Sequence, residues 1–170
     1  VALGPGLLVL PAAFGSGGAS AGLTAAPPPD CDLQPVLPML ADPDGTGVRP
    51  RLIASFVFFG SELLFRTQDG VLAGPYHRDR GGIMDVYALF SAPDDAAALA
   101  VVRRRGVDLI LICPHTLEQQ LYSEPLAGTD RTAFIDRLAE GLAPAWAVPV
   151  TLPAGSALRL FRVVPPRDGG

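Results

Sequence analysis

The densest run of chemically capable residues is Gly74-Pro-Tyr-His-Arg-Asp-Arg-Gly-Gly82. His77 can give or take a proton near neutral pH. Arg78 and Arg80 suit a phosphate or a carboxylate. Gly81 and Gly82, at a helix start, would offer backbone N–H groups to an anion. In an open α/β sheet, ligands sit beyond the carboxyl ends of strands, and this turn follows a short apolar segment. Tyr76, His77 and Arg78 are therefore the candidate ligand-binding residues, with Glu62 and Asp85 as the accompanying carboxylates. A structural reading stands beside this one. In it Tyr76 packs, His77 bonds a backbone carbonyl, and Arg78 pairs with Glu62 or Asp85. The glycine spacing fits neither the dinucleotide fingerprint nor the phosphate-binding P-loop.

A second cluster is Cys113-Pro-His-Thr-Leu-Glu118. A Cys/His nucleophile pair oriented by Glu118 can be drawn there. Pro114 separates its members, however, and no nucleophile motif surrounds them. The cysteines are Cys31 and Cys113, and the histidines are His77 and His115. These four lack the paired spacing of a zinc site, so neither a metal nor a cofactor is expected. A Cys31–Cys113 disulfide fits an oxidising compartment and would close a long loop. The alternative is two unrelated thiols, with Cys113 in the core. Trp146 reads as a core anchor.

The elements that must position these residues alternate between helix and strand. Leu33, Val36, Leu37 and Leu40 recur at helical spacing behind Asp30 or Asp32. Pro38 shortens or kinks that helix, and Asp42-Pro-Asp-Gly-Thr-Gly47 is a turn. Leu52–Val57 is an apolar run suited to a buried strand. Ser61 is a cap candidate for a helix over 62–66, and 71–74 is a second strand. Ile83, Met84, Tyr87 and Phe90 mark an amphipathic helix over 81–90. Asp94 opens another, which closes on Arg103, Arg104, Arg105 and Gly106. Val107–Ile112 is the strongest strand. Helices follow over 116–122 and 130–140, then two strands over 145–152 and 158–164 that form a hairpin. The sum is a small layered α/β sandwich, a mixed sheet of about five strands with flanking helices and a C-terminal hairpin. Its first three strands are expected to be parallel.

The 170 residues include 13 cations, all Arg, against 17 acidic groups, a net charge of −4. Lys and Asn do not occur, a codon bias that points to a GC-rich bacterial genome. The acidic balance excludes sequence-independent nucleic-acid binding. A hydrophobic content of 49% with 18% charged residues excludes disorder over most of the chain. Part of that apolarity lies in residues 1–29, which carry no charge. Val1–Phe14 is shorter than the ~20 residues that span a bilayer. A signal peptide lacks its Met and basic region here, and tails are rarely so apolar. The favoured reading is the end of a membrane helix followed by a Gly/Ala/Pro linker that closes at Pro29. Residues 30–164 are then the folded domain, about 135 residues by the usual size of one core. Residues 165–170 read as a flexible tail.

Several stretches together carry a family resemblance. They are Phe59-Gly-Ser-Glu-Leu-Leu-Phe-Arg-Thr67, Val71-Leu-Ala-Gly-Pro-Tyr-His-Arg78, Gly82-Ile-Met-Asp85, Gly106-Val-Asp-Leu-Ile-Leu-Ile-Cys-Pro114 with Glu118 and Tyr122, and Leu138-Ala-Glu-Gly-Leu-Ala-Pro-Ala-Trp146. Over residues 30–164 the chain resembles the C-terminal extracytoplasmic region of a family of alphaproteobacterial polytopic membrane proteins. Those proteins look like GT-C type glycosyltransferases, which use polyprenyl-phosphate-linked sugars. The resemblance implies a bacterial inner-membrane protein with this domain in the periplasm. It implies a lipid-linked sugar or a glycan acceptor as partner, beside the membrane itself. The catalytic acidic residue of such enzymes lies in an early loop outside this sequence, so no catalytic residue is carried over. The family pattern has Asn after Tyr-His-Arg, where this chain has Asp79. The competing expectations are a non-catalytic interaction domain of a membrane transporter or assembly, and a free soluble small-molecule-binding domain.

Overall fold

The computed structural model describes residues 31–41, 50–76 and 78–164. The apolar leader, the turn after Ala41, His77 and the C-terminal tail lie outside the described residues.

Three parallel strands form the first half of the sheet. They are β1 (Leu52–Ser55), β2 (Gly70–Val71) and β3 (Leu109–Ile112). Ile53 lies opposite Val71 on one side and Leu109 on the other. The hairpin strands β4 (Ala147–Val150) and β5 (Arg159–Val163) complete five strands in the order β2-β1-β3-β5-β4. β5 runs antiparallel to β3, with Ile110 opposite Phe161, and β4 is antiparallel to β5. The mixed five-stranded α/β sheet, its parallel first half and the closing hairpin are as expected from the sequence. Pro149 is tolerated because β4 is an edge strand, where a missing N–H breaks no inner ladder.

Two crossovers run in opposite directions across the sheet, β1 to β2 and then β2 past β1 to β3. The connection from β1 to β2 carries α2 (Gly60–Arg66), and that from β2 to β3 carries α3 (Arg80–Phe90) and α4 (Asp95–Arg105). Parallel crossovers are almost always right-handed, and two that run in opposite directions then belong on opposite faces of a sheet. α5 (Leu117–Ser123) and α6 (Phe134–Ala139) join α3. The short helix α1 (Leu37–Ala41) runs from the carboxyl end of the parallel strands toward their amino end. Its start is fixed by Cys31 bonded to Cys113, just past β3, and its end by the Leu40 carbonyl, which accepts from Arg51 Nη2 at 2.5 Å. Leu33, Val36 and Leu40 enter the core that also holds Ile53, Phe90, Ile110, Ile112 and Phe134.

Several elements are shorter than their sequence patterns. β1 stops at Ser55 because the Val57 N–H turns to the Glu118 carboxylate and a 3₁₀ turn follows over Val57–Phe59. β2 ends at Val71, and Leu72, Ala73 and Gly74 leave the ladder yet stay buried. Ser61 caps nothing, since α2 grows straight out of the 3₁₀ turn. α6 begins at Phe134, not Asp130. Asp94 and Thr116 do cap α4 and α5, accepting from Ala97 N and Gln119 N. Gly106 closes α4 at φ 69°, a conformation open to glycine at little cost.

Candidate functional site

Parallel strands bring their carboxyl ends to one rim, and three connecting segments lie there. They are Phe56–Gly60 after β1, Leu72–Asp79 after β2 and Cys113–Glu118 after β3. Two contacts bind these segments together. A Cβ on Gly60 would meet the Ala73 carbonyl and the Gly74 Cα, so the first two segments touch backbone to backbone. Glu118 joins the first and third. Its Oε1 accepts from the Val57 N–H at 2.6 Å and from the Tyr122 hydroxyl at 2.7 Å.

The predicted turn is built around Asp79. Its Oδ1 accepts from Gly82 N and its Oδ2 from Gly74 N, both at 3.2 Å. One carboxylate therefore caps α3 and pins the end of β2. This corrects the expectation that Gly82 offers its N–H to an anion, because Asp79 already holds it. Gly82 is also wedged against the Leu72 carbonyl, where no Cβ fits. Tyr76 lays its ring over Gly74 and is half exposed. Arg78 projects into solvent. His77, between them, lies outside the described residues.

The expected carboxylate partners of Arg78 are engaged elsewhere. Glu62 pairs with Arg66 at 3.0 Å along α2, and Asp85 pairs with Arg104 at 2.6 Å and Arg105 at 3.4 Å. These pairings replace the Arg78–Glu62 or Arg78–Asp85 ion pair of the structural reading. The reason is spacing. Glu62 and Arg66 face each other one helical turn apart, while α3 and α4 pack side by side. Tyr76 and Arg78 remain together on the rim; Glu62 and Asp85 are held in pairs of their own.

The third segment holds Cys113, His115 and Glu118. Cys113 is bonded to Cys31, so it is no nucleophile. His115 is exposed at φ 64° and its N–H bonds the Gln119 side chain. The arrangement in which Glu118 would orient His115, already disfavoured by the sequence, does not form: Glu118 faces Val57 and Tyr122. Burial pushes its pKa up, and the bonds from Tyr122, Val57 and Phe58 pull partly back. Burial, reinforced by Glu118, also raises the Tyr122 hydroxyl. Phe56, Phe90 and Tyr87 surround Tyr122 at centroid distances of 5.2–6.0 Å. Beside the rim, α5 and residues 126–133 border an open depression of about 740 Å³ that includes Leu117, Leu121, Arg131 and Asp136. The sequence patterns missed Glu118 as a tie, since nothing local links it to residue 57. Trp146 is the expected core anchor, stacked on Phe134 at 5.5 Å.

Among the described residues no group of three His, Cys, Asp or Glu could hold a metal, and no helix is long and apolar enough to cross a membrane. No family model matches the sequence. No curated protein matches it either. The fold is similar to that of the C-terminal globular domain of an oligosaccharyltransferase from Archaeoglobus fulgidus, with a TM-score of 0.57 at 14% identity. The match covers 77% of this chain and 95% of that domain. A further structure described as the same domain, also from Archaeoglobus fulgidus, matches at a TM-score of 0.47 and 16% identity, covering 68% and 82% of the two chains.

Proposed function

We propose that this chain is the extracytoplasmic C-terminal domain of a polytopic bacterial inner-membrane protein, glycosyltransferase-like and dependent on polyprenyl-phosphate-linked sugar. Its role is accessory: it covers the membrane-embedded catalytic cavity or holds the acceptor. The observation that carries this reading is the shared fold with the globular domain of an oligosaccharyltransferase, over nearly that domain's whole length. The disulfide supports a periplasmic setting, because such bonds persist in oxidising compartments. Tyr76 and Arg78 line the working face, and His77 completes the proposed ligand-binding set by its place in the sequence. Arg78, exposed and without a carboxylate partner among the described residues, supplies a guanidinium for a phosphate or an anionic glycan. Glu62 and Asp85 act indirectly, holding α2 and the α3–α4 pair.

The test is Arg78→Ala and His77→Ala in the full-length membrane protein. Loss of glycan transfer or of lipid-donor binding, with the protein still folded and inserted, is the expected result. Unchanged transfer and donor binding in both would remove the site. A second reading is a non-catalytic interaction domain, favoured by the depression beside α5. In that case Arg131→Glu, and not Arg78→Ala, disrupts the assembly.

A further inference from the structure

The rim carries more than the polar turn. Phe58 is 76% exposed, Leu117 83% and Leu121 54%. Phe58 and Leu117 flank the Val57–Glu118 hydrogen bond. Phe65, also exposed, lies two helical turns along α2 toward the amino end of the strands, where Asp69 and Gly70 bond Arg51, and is not part of this rim. Leu121 follows Leu117 by one turn of α5. Water-exposed aromatic and leucine side chains gathered at one end of a domain mark an interaction surface. The carboxylates set among them are occupied: Glu62 by Arg66, Glu118 by Val57 and Tyr122.

What covers this face follows from where the chain enters. The disulfide holds Cys31 to Cys113 at the carboxyl end of β3, on the same rim. The residues leading to it, 1–29, are apolar and carry no charge. An apolar stretch of sequence that leads into the Cys31 anchor, beside three exposed apolar side chains, argues for one apolar boundary that serves both. Tyr76 and Arg78 on the same rim are residue types that settle at headgroup level, ring or stem in the apolar layer and polar tip in water.

We infer that the carboxyl-end rim rests on the lipid bilayer, with Phe58, Leu117 and Leu121 inserted into its interface. The inference rests on the membrane-attached part of the reading above and is independent of its glycosyl-transfer part. Interfacial insertion of this kind uses a shallow apolar face, not a spanning helix.

The experiment places one tryptophan at a time in the 170-residue chain, Phe58→Trp on the rim or Leu142→Trp at the opposite end, where Leu142 is also exposed. Trp146, buried, serves as the constant reference. The probe is a vesicle of phosphatidylethanolamine and phosphatidylglycerol containing a brominated acyl chain. Tryptophan at 58 is quenched on binding, and tryptophan at 142 is not. Equal or absent quenching at both positions overturns the inference, since the leader alone would then hold the chain. A second variant, Phe58→Ser with Leu117→Ser and Leu121→Ser, weakens vesicle partition by about thirtyfold if the three side chains are half buried there. Unchanged partition overturns it. So does dimerisation in lipid-free buffer that the triple variant abolishes, which would assign the face to a second copy. Failure here alongside lost transfer in Arg78→Ala would leave the transfer reading standing.

Discussion

Replacing Cys31 and Cys113 together by serine should cost this domain much of its stability without changing its folded shape. The bond joins residues 82 apart in sequence. Chain-entropy reasoning puts the stabilisation from closing a loop that long at roughly 4.5 kcal/mol at 25 °C. The effect acts on the unfolded chain, so the native contacts of α1 should survive. Leu33, Val36 and Leu40 stay in the core, and Arg51 still reaches the Leu40 carbonyl. Urea unfolding followed by near- and far-ultraviolet circular dichroism is the assay. With a slope of about 2 kcal/mol per molar, the midpoint should fall by roughly 2 M while the native spectra stay the same. Reducing the unaltered protein should produce the same shift. A fall under about 1 kcal/mol, with slope and native spectra unchanged, would refute the loop-entropy reasoning. A changed native spectrum would refute the claim that α1 is held by packing as well.

Four further outcomes follow from the same geometry. Glu118→Ala leaves the Val57 N–H and the Tyr122 hydroxyl without their acceptor and should cost about 1–3 kcal/mol in urea. Glu118→Gln keeps an acceptor and removes the buried charge. Because burial raises the Glu118 pKa, the native chain holds that proton more tightly than the unfolded chain. Its stability contribution is present at low pH and is lost as pH rises through the folded pKa. The glutamine variant should therefore be favoured over the parent near neutrality and lose that advantage below about pH 4, as read by thermal melts across pH. Asp69→Ala strands the Arg51 guanidinium, which is 18% exposed and bound to Asp69 at 2.6 Å, and should cost about 3–5 kcal/mol; a double-mutant cycle with Arg51→Met, showing a smaller loss for the pair than for Asp69→Ala alone, checks it. Gly82→Ala drives a Cβ into the Leu72 carbonyl and the Asp79 carboxylate, so it should destabilise by about 1–3 kcal/mol. An alanine variant that melts with the parent would show that the turn can relax.

Some parts of the site were legible in the residues and others were not. The turn after β2 was found because glycine, proline and charged residues cluster after an apolar run, a local signal. The cap Asp94 was legible for the same reason, since it bonds an N–H three residues on. Asp79 was noticed as a departure from a family pattern. Its double role could not be read, because Gly74 N and Gly82 N come within reach only after β2 has turned into α3. The shortened β1 was missed for a similar reason. Leu52–Val57 is apolar apart from Ser55, and the Val57 N–H leaves the ladder for Glu118, sixty-one residues further along the chain.

By itself, then, the sequence determined the alternation of helix and strand, the buried central strand, the closing hairpin and the polar turn. Each of these is written in periodicities and caps that act over a few residues. Only the tertiary structure decided which groups meet. It joined Cys31 to Cys113, gave Glu62 and Asp85 to arginines other than Arg78, tied Glu118 to Val57 and set Phe58 beside Leu117 on one rim. Those meetings depend on parallel strands placing their carboxyl ends together, a long-range arrangement that no local spacing encodes.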